Sequence, residues 1–424
     1  MYDTIFALSS GAPPAAIAVI RISGPRAGAA LRSLVRTLPA PRSPKVRTLR
    51  GEDGGVLDRA LVLWLPGQGN ATGEDSAEIH AHGGRAVVAA ILAALAAVPG
   101  LRQAEPGEFT RRAFANGRID LAEAEGLADL LAAETELQRS AAAAMAGGAF
   151  SRTVEEWRAQ LLAISAHVET ALDFSDDDDT GQGAEAISAA ISGLREALEL
   201  QLARPAAETL REGIRVVLAG PPNTGKSTLF NVLVENEAAI TAPEAGTTRD
   251  VLMRPIALDG VPFTVFDTAG LRTGSTDAIE RIGIERAGQA VAAADIVLWL
   301  GEEGAGPPGA WEIAPKSDRL GSTKQAHRHA VSAKTGAGLD ALRGDLVATA
   351  RTMLPRPGEA VLGQRQRGLL RDAARALGEG ASRNDPLLVA EALRRARVAF
   401  DGLLGRTTTE DMLDTLFGRF CIGK

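Results

Sequence analysis

At 424 residues, the chain has the length of about three domains of roughly 150 residues each. It is 45% hydrophobic and 23% charged, which excludes a disordered protein. Its one cysteine, Cys421, excludes an internal disulfide, and a formal charge of −7 argues against a chain-wide nucleic-acid surface.

Residues 1–118 open on MYDTIFALSS, without a basic leader, and contain the strand-like stretches AIAVIRIS and ALVLWL. The longest apolar run, AVVAAILAALAAV at 86–98, has 13 residues. It is shorter than the ~20 needed to span a bilayer and reads as a helix of a soluble, cytoplasmic protein. His80 and His82 lack the companion ligands of a zinc site. Residues 119–211 turn to Ala/Leu/Glu-rich helical periodicity, as in LAEAEGLADLLAAETELQRSAAAAMAG. The acidic run DFSDDDDT (173–180) lacks the spacing and glutamate of an EF-hand and reads as a solvated interhelix loop. An α/β pattern occupies 212–348, and helix returns over 349–424. There Arg365, Arg367 and Arg371 are either snorkelling helix arginines or a partner or tRNA surface. Leu413, Leu416, Phe417, Phe420 and Cys421 form an apolar stripe at helical spacing, which predicts a buried thiol.

The α/β segment carries the densest chemistry. IRVVLAGPPNTGKSTLFN (214–231) is a β-branched run, a glycine-rich loop and a Lys-Ser pair opening a helix, the pattern of a phosphate-binding loop. Backbone N–H groups of Asn223, Thr224, Gly225 and Thr228 face phosphate, Lys226 reaches the β and γ oxygens, and Ser227 takes Mg²⁺. AGTTRD supplies Thr247 and the switch threonine Thr248, a second Mg²⁺ ligand. VFDTAG ends a strand with Asp267, then Thr268, Ala269 and Gly270, whose N–H meets the γ-phosphate. PKSD offers Lys316 and Asp318, and SAK offers Ser332, Ala333 and Lys334. Asp318 matches the paired N–H donors of guanine, where adenine presents an acceptor. These elements follow one another in the order of a GTPase.

The sequence departs from common GTPases in three respects. Pro315 stands where N-K-x-D has Asn, removing an amide side chain and an N–H. At about 1 kcal/mol per net hydrogen bond, the expectation is weaker nucleotide binding with guanine preference retained. The preceding WLGEEGAGPPGAWEIAPKSD is short and Gly/Pro-rich, suggesting a trimmed element. Leu271 follows DTAG where Ras-type proteins place a water-orienting Gln, and no internal arginine finger is evident. Lysine is also rare: only Lys45, Lys226, Lys316, Lys324, Lys334 and Lys424 occur among 46 basic residues. That rarity marks the lysines for roles an Arg fork cannot fill.

RISG (21–24), TGED (72–75), HGG (82–84), PGEFTRRAFANGRIDLAEAEG (106–126), DTAGLR, ERIGIERA (280–287) and the terminal FCIGK span the chain in order. On these motifs the sequence resembles the MnmE (TrmE) family of tRNA modification GTPases. The resemblance implies a multidomain α/β and all-α protein. An N-terminal α+β folate-binding and dimerisation domain (1–118) precedes a helical domain (119–211 and 349–424). A Ras-like P-loop GTPase domain (212–348) is inserted in the latter. It implies K⁺ in place of an arginine finger, bound by Asn223, Ala242, Glu244 and Thr247, and Glu280 positioning the attacking water. A bland reading makes Asn223 a polar loop residue and Glu280 a solvated carboxylate.

The resemblance also maps contacts to 5,10-methylene- or 5-formyl-tetrahydrofolate onto Arg21, Glu78, Arg118 and Lys424. At Arg118 the family often has Lys. It brings the tail near that pocket, so Cys421 is either catalytic in one-carbon chemistry or structural. The implied activity is GTP hydrolysis by a homodimer acting with a MnmG (GidA)-type flavoprotein, with no membrane. Together they add an aminomethyl or carboxymethylaminomethyl group to C5 of the wobble uridine of certain tRNAs. Two alternatives remain open: a folate-sensing regulatory scaffold, and a ribosome-assembly GTPase of the Era or Der kind. The latter predicts a KH-like loop or a second G domain, neither of which is visible.

Overall fold

The computed structural model describes residues 3–173, 180–235, 252–268, 288–319, 324–407 and 409–423. The chain forms two compact units, one of residues 1–128, 151–155 and 400–424, the other of 129–150 and 156–399.

The first unit is built on β1 (Thr4–Leu8), β2 (Ala15–Ser23), α1 (Ala27–Val35), β3 (Lys45–Arg50), β4 (Val56–Leu65), β5 (Ser76–Gly83), α2 (Arg85–Ala96) and β6 (Leu101–Gln103). The six strands form one sheet in the order β3-β4-β5-β2-β1-β6. All pairs are antiparallel except β1–β6. Strand alternation sends Phe6, Ile20, Ile22, Val62 and Ile79 to one face, where Leu31 and Leu34 of α1 and Ile91 and Leu95 of α2 cover them. Each such side chain contributes about 1.5–3 kcal/mol by burial. The other face carries Arg21, Ser23, Ser76, Glu78 and His80 in register. Helices α3 (Glu108–Ala115) and α4 (Leu121–Ala132) follow.

The second unit receives α5 (Glu136–Ala146), most of α6 (Ala149–Asp173), α7 (Thr180–Leu202) and α8 (Ala207–Glu212). Thr135 caps α5 by accepting from the Gln138 N–H in a capping box. A second sheet follows: β7 (Ile214–Ala219), α9 (Lys226–Glu235), β8 (Leu252–Leu258), β9 (Val261–Asp267), β10 (Ile296–Trp299), β11 (Trp311–Pro315) and β12 (His329–Val331). Its order is β12-β11-β10-β7-β9-β8, parallel except for the β8–β9 pair. The strands are buried apolar runs, as expected of a parallel sheet covered on both faces. Helices α10 (Leu339–Met353) and α11 (Gln364–Ala381) complete this unit with most of α12 (Pro386–Leu403), and α13 (Glu410–Phe417) returns to the first.

The link between β10 and β11 contains no helix, although parallel neighbours usually need a helical crossover. The glycine-rich stretch is thus trimmed of its helix, as expected, and turns beside Trp299, whose indole N–H donates to the Glu302 carbonyl at 2.8 Å. Arg328 lies 3.7 Å over the Trp311 ring and forks onto Asp345 at 2.7 and 2.9 Å, bracing β11 against α10. Arg367 of α11 donates to the carbonyls of Leu202 (2.6 Å) and Arg204 (3.0 Å). Its fork is thus engaged at the C-terminus of α7, where a cation also opposes the helix dipole.

Candidate functional site

The loop at 220–227 leaves the carboxyl end of central strand β7, the usual ligand crevice of a doubly wound sheet. Gly220 has φ +143°, and a Cβ there would lie 2.9 Å from the Gly301 nitrogen, so only glycine fits. Asn223 adopts φ +64° and Gly225 φ +104°, which curls the backbone before α9 starts at Lys226. Lys226 is buried, and its Nζ donates to the carbonyls of Gly220 (2.9 Å) and Pro221 (2.6 Å). The Thr224 hydroxyl donates to the Pro221 carbonyl at 3.0 Å. Ser227 and Thr228 are exposed in the first turn of α9, where helix N–H groups and dipole favour an anion.

Asp267 closes β9 directly beside Leu218 of β7 and is fully buried. The next residue, Thr268, donates its hydroxyl to the Leu218 carbonyl at 2.8 Å, tying the DTAG segment to the strand that feeds the loop.

The guanine motif arrives from β11. Lys316 has φ +59° and donates its ammonium to the Asn223 carbonyl at 2.9 Å, so the fourth motif holds the first. Asp318 accepts the Ser332 hydroxyl at 2.7 Å. That hydrogen bond, with Arg319 and Lys334 nearby, holds its carboxyl below the usual range and keeps it an acceptor. Ala333 and Lys334 lie in the turn closed by the Gly336 N–H on the Ser332 carbonyl at 2.9 Å. Pro315 is the last residue of β11, opposite Val331, where a missing donor interrupts the ladder least. Among the described residues, the phosphate loop, Asp267–Thr268, PKSD and SAK all lie at the carboxyl ends of strands of this sheet. Ala242, Glu244, Thr247, Thr248, Ala269, Gly270, Leu271 and Glu280 lie outside the described residues, as do Lys424 and residues 174–179 of the acidic run.

A second polar constellation occupies the helix-free face of the first sheet. Arg21 and Glu78 are register partners, with Arg21 Nε 3.1 Å from Glu78 Oε1 and the Phe109 ring 5.9 Å from the guanidinium. His80 Nε2 lies 3.2 Å from Glu78 Oε2, so both carboxylate oxygens are engaged. The Ser9 hydroxyl, at the end of β1, is buried without a hydrogen-bond partner among the described residues. Arg118 is exposed, its stem packed where a Cβ on Gly73 would sit.

The tail reaches the same unit. A Cβ on Gly423 (φ +93°) would lie 2.2 Å from the Leu8 carbonyl, and Ile422 bridges Pro106. The expected buried thiol is corrected here. Helix α13 ends at Phe417, Phe417 and Phe420 are buried, and Cys421 is exposed. The helical stripe fails because the chain has already turned into an extended segment, with the Cys421 carbonyl accepting the Gly107 N–H at 3.4 Å. His82 pairs with Asp58 at 2.8 Å, and no group of three or more His, Cys, Asp or Glu able to hold a metal occurs among the described residues.

Sequence reasoning missed a network that joins RISG, TGED and PGEFTRR. Buried Arg112 donates to Asp3 Oδ1 (2.7 Å), Glu108 Oε1 (3.0 Å) and Glu74 Oε2 (3.2 Å). Glu74 also accepts the Ser23 hydroxyl at 2.8 Å, and Arg102 forks onto Glu108 at 2.6 and 2.8 Å. The signal was available: three short charged motifs in one domain need partners when buried.

Residues 4–118 match the family model for the GTP-binding protein TrmE N-terminus, and residues 121–421 match that for the MnmE helical domain. The chain is 62% identical over 442 residues to the tRNA modification GTPase MnmE of Novosphingobium aromaticivorans, covering all of both chains. Identity to the protein of that name from Erythrobacter litoralis is 62% over 423 residues, again with full coverage of both. For Zymomonas mobilis it is 47% over 443 residues, covering 99% of this chain and all of that one. With these relatives and this arrangement of phosphate loop, DTAG segment and guanine motif, the chain is a GTP-hydrolysing enzyme belonging to the MnmE family of tRNA modification GTPases.

Proposed function

We propose that this chain is a potassium-activated GTPase that uses a folate one-carbon unit to modify the wobble uridine of certain tRNAs. It acts in the cytoplasm as a homodimer with a MnmG-type FAD protein and adds an aminomethyl or carboxymethylaminomethyl group at C5. Residues 1–118 form the folate and dimerisation domain, 212–348 the GTPase domain, and 119–211 with 349–424 the helical domain around it.

On this reading Lys226 and the N–H groups at the start of α9 hold the phosphates, while Asp318, kept ionised by Ser332, selects guanine. Ser227, Thr248 and Asp267 form an oxygen donor set suited to Mg²⁺, which supplies charge neutralisation at the phosphate oxygens. Asn223 fits a role as one K⁺ ligand, because its left-handed backbone exposes an amide side chain at the loop, and K⁺ supplies positive charge where no arginine finger is present. Glu280 positions the attacking water and Gly270 donates to the γ-phosphate.

One observation carries the folate reading: the C-terminal segment packs against the end of β1 in the unit that pairs Arg21 with Glu78. The donors present fit a pterin with a glutamyl tail. Glu78 accepts N–H groups, Arg21 and Arg118 meet carboxylates, and the buried Ser9 hydroxyl offers a further polar contact. Lys424 supplies a further cation for the same ligand, and exposed Cys421 assists one-carbon chemistry.

Calorimetry with 5-formyl-tetrahydrofolate and GTP turnover in matched KCl and NaCl test the two halves. Binding lost in Arg21→Ala and hydrolysis confined to potassium are expected. Undiminished binding in that variant, or equal turnover in both salts, overturns the corresponding half.

A further inference from the structure

Lys324 is one of six lysines in the chain, and its side chain is 5% exposed. Lysines are almost never buried unless paired. Its ammonium donates to the Trp299 carbonyl at 2.8 Å and the Ile313 carbonyl at 3.0 Å, and stands 2.5 Å from Glu312 Oε2. Carbonyls of two neighbouring strands therefore accept from its ammonium, and one carboxylate stands beside it as an ion-pair partner.

The position of this cation matters because of what is missing around it. Strands β10 and β11 share a register of only two residue pairs, Leu298 with Trp311 and Trp299 with Glu312. Beyond Glu312, β11 continues through Ile313, Ala314 and Pro315, paired only with β12. The link over 300–310 has no helix to press the two strands together. Pro315 brings no N–H to the ladder. Lys324 bridges this gap, joining the last residue of β10 to Ile313, two residues before the motif containing Lys316 and Asp318. Glu312 extends the tie, since its Oε1 accepts the Gly304 N–H at 3.1 Å, and Glu303 accepts the Gln325 N–H at 2.8 Å. An arginine fork is too wide to replace a compact ammonium between two carbonyls.

We propose that Lys324 is a positioning residue for guanine recognition, holding β11 to β10 so that Asp318 meets the base. The proposal rests on the reading that Asp318 recognises guanine. It separates a specificity role from a structural one through inosine diphosphate, which lacks only the 2-amino group. One charge-assisted hydrogen bond lost on that substitution weakens wild-type binding by roughly 10- to 150-fold relative to GDP.

The experiment is calorimetric titration of the full-length protein with GDP and with inosine diphosphate. The variants are Lys324→Met, Lys324→Met/Glu312→Gln and Asp318→Asn. The double variant removes the carboxylate that the single one leaves buried without its cation, so a fold defect in the single variant does not end the test. The expected result is that the wild-type GDP preference falls to about threefold or less in the double variant, because the 2-amino contact is lost first. An unchanged preference, or equal weakening of both nucleotides, overturns the proposal. Equal wild-type affinity for the two nucleotides overturns the Asp318 reading itself, and the proposal with it. Asp318→Asn calibrates the fully lost preference.

Discussion

Replacing Arg112 with Met removes the hub of the charged network in the N-terminal unit while keeping most of its volume. The wild-type guanidinium meets three carboxylates and the Asp3 carbonyl at 2.9 Å. Glu74 and Glu108 are 14% and 11% exposed, so two carboxylates lose a partner with little water to replace it. Breaking a buried pair costs about 3–5 kcal/mol. Asp3 is half-exposed and Arg102 still holds Glu108, which brings the expectation to the lower end, about 3 kcal/mol. Trp64 is the only tryptophan in this unit, since the others are Trp157, Trp299 and Trp311. Changing those three to Phe therefore lets fluorescence follow this unit alone, which a two-unit chain requires for a two-state reading. With a urea slope of about 2 kcal/mol/M, the midpoint falls by about 1.5 M at pH 7.

Acid supplies the second arm. Burial alone pushes the carboxyls of Asp3 and Glu108 up, but hydrogen bonds from Arg102 and Arg112 outweigh it and hold both below their ordinary values. Stability from such groups is fully present above the unfolded carboxylate pKa of about 4 and is lost as pH falls through the folded values. The gap between wild type and Arg112→Met should therefore narrow as pH falls below about 4.5. A midpoint change under about 0.5 M at pH 7, or a gap that stays constant into acid, would refute the reasoning.

Ser332→Ala removes the hydrogen bond that holds the Asp318 carboxyl low, so GDP affinity should fall severalfold and most below pH 5, as titration calorimetry can read. Gly423→Ala puts a Cβ 2.2 Å from the Leu8 carbonyl at a left-handed φ. It should displace the tail and weaken 5-formyl-tetrahydrofolate binding without lowering the urea midpoint, because the buried anchor Phe420 lies upstream. Cys421→Ser should leave the unfolding free energy from urea titration within about 0.5 kcal/mol of wild type, since the thiol is exposed. A larger loss would restore the buried-thiol expectation.

Local pattern exposed much of this protein. The β7–loop–α9 unit was legible because a β-branched run, glycines and a Lys-Ser pair are all constraints on adjacent residues. The helix expected at 86–98 runs over Arg85–Ala96, because its apolar run leaves no competing reading. The register of Arg21 with Glu78 was hidden, since 57 residues separate them and only the β2–β5 pairing brings them together. The stripe through Cys421 misled because periodicity persists past a helix end that backbone geometry decides.

What the sequence by itself determined is the set of local motifs: a glycine-rich loop between a strand and a helix, a PKSD segment carrying Asp318, and the family motifs along the chain. These depend on residue type at short spacing, where few conformations compete. The tertiary structure alone decided the long-range partnerships. Arg112 gathers three motifs, Lys316 reaches back to Asn223, Lys324 bridges β10 and β11, and the tail lies against Leu8. Such contacts are selected by the packing of whole strands and helices and by the cost of leaving a buried charge without a partner. Neither quantity is written in any local window of residues.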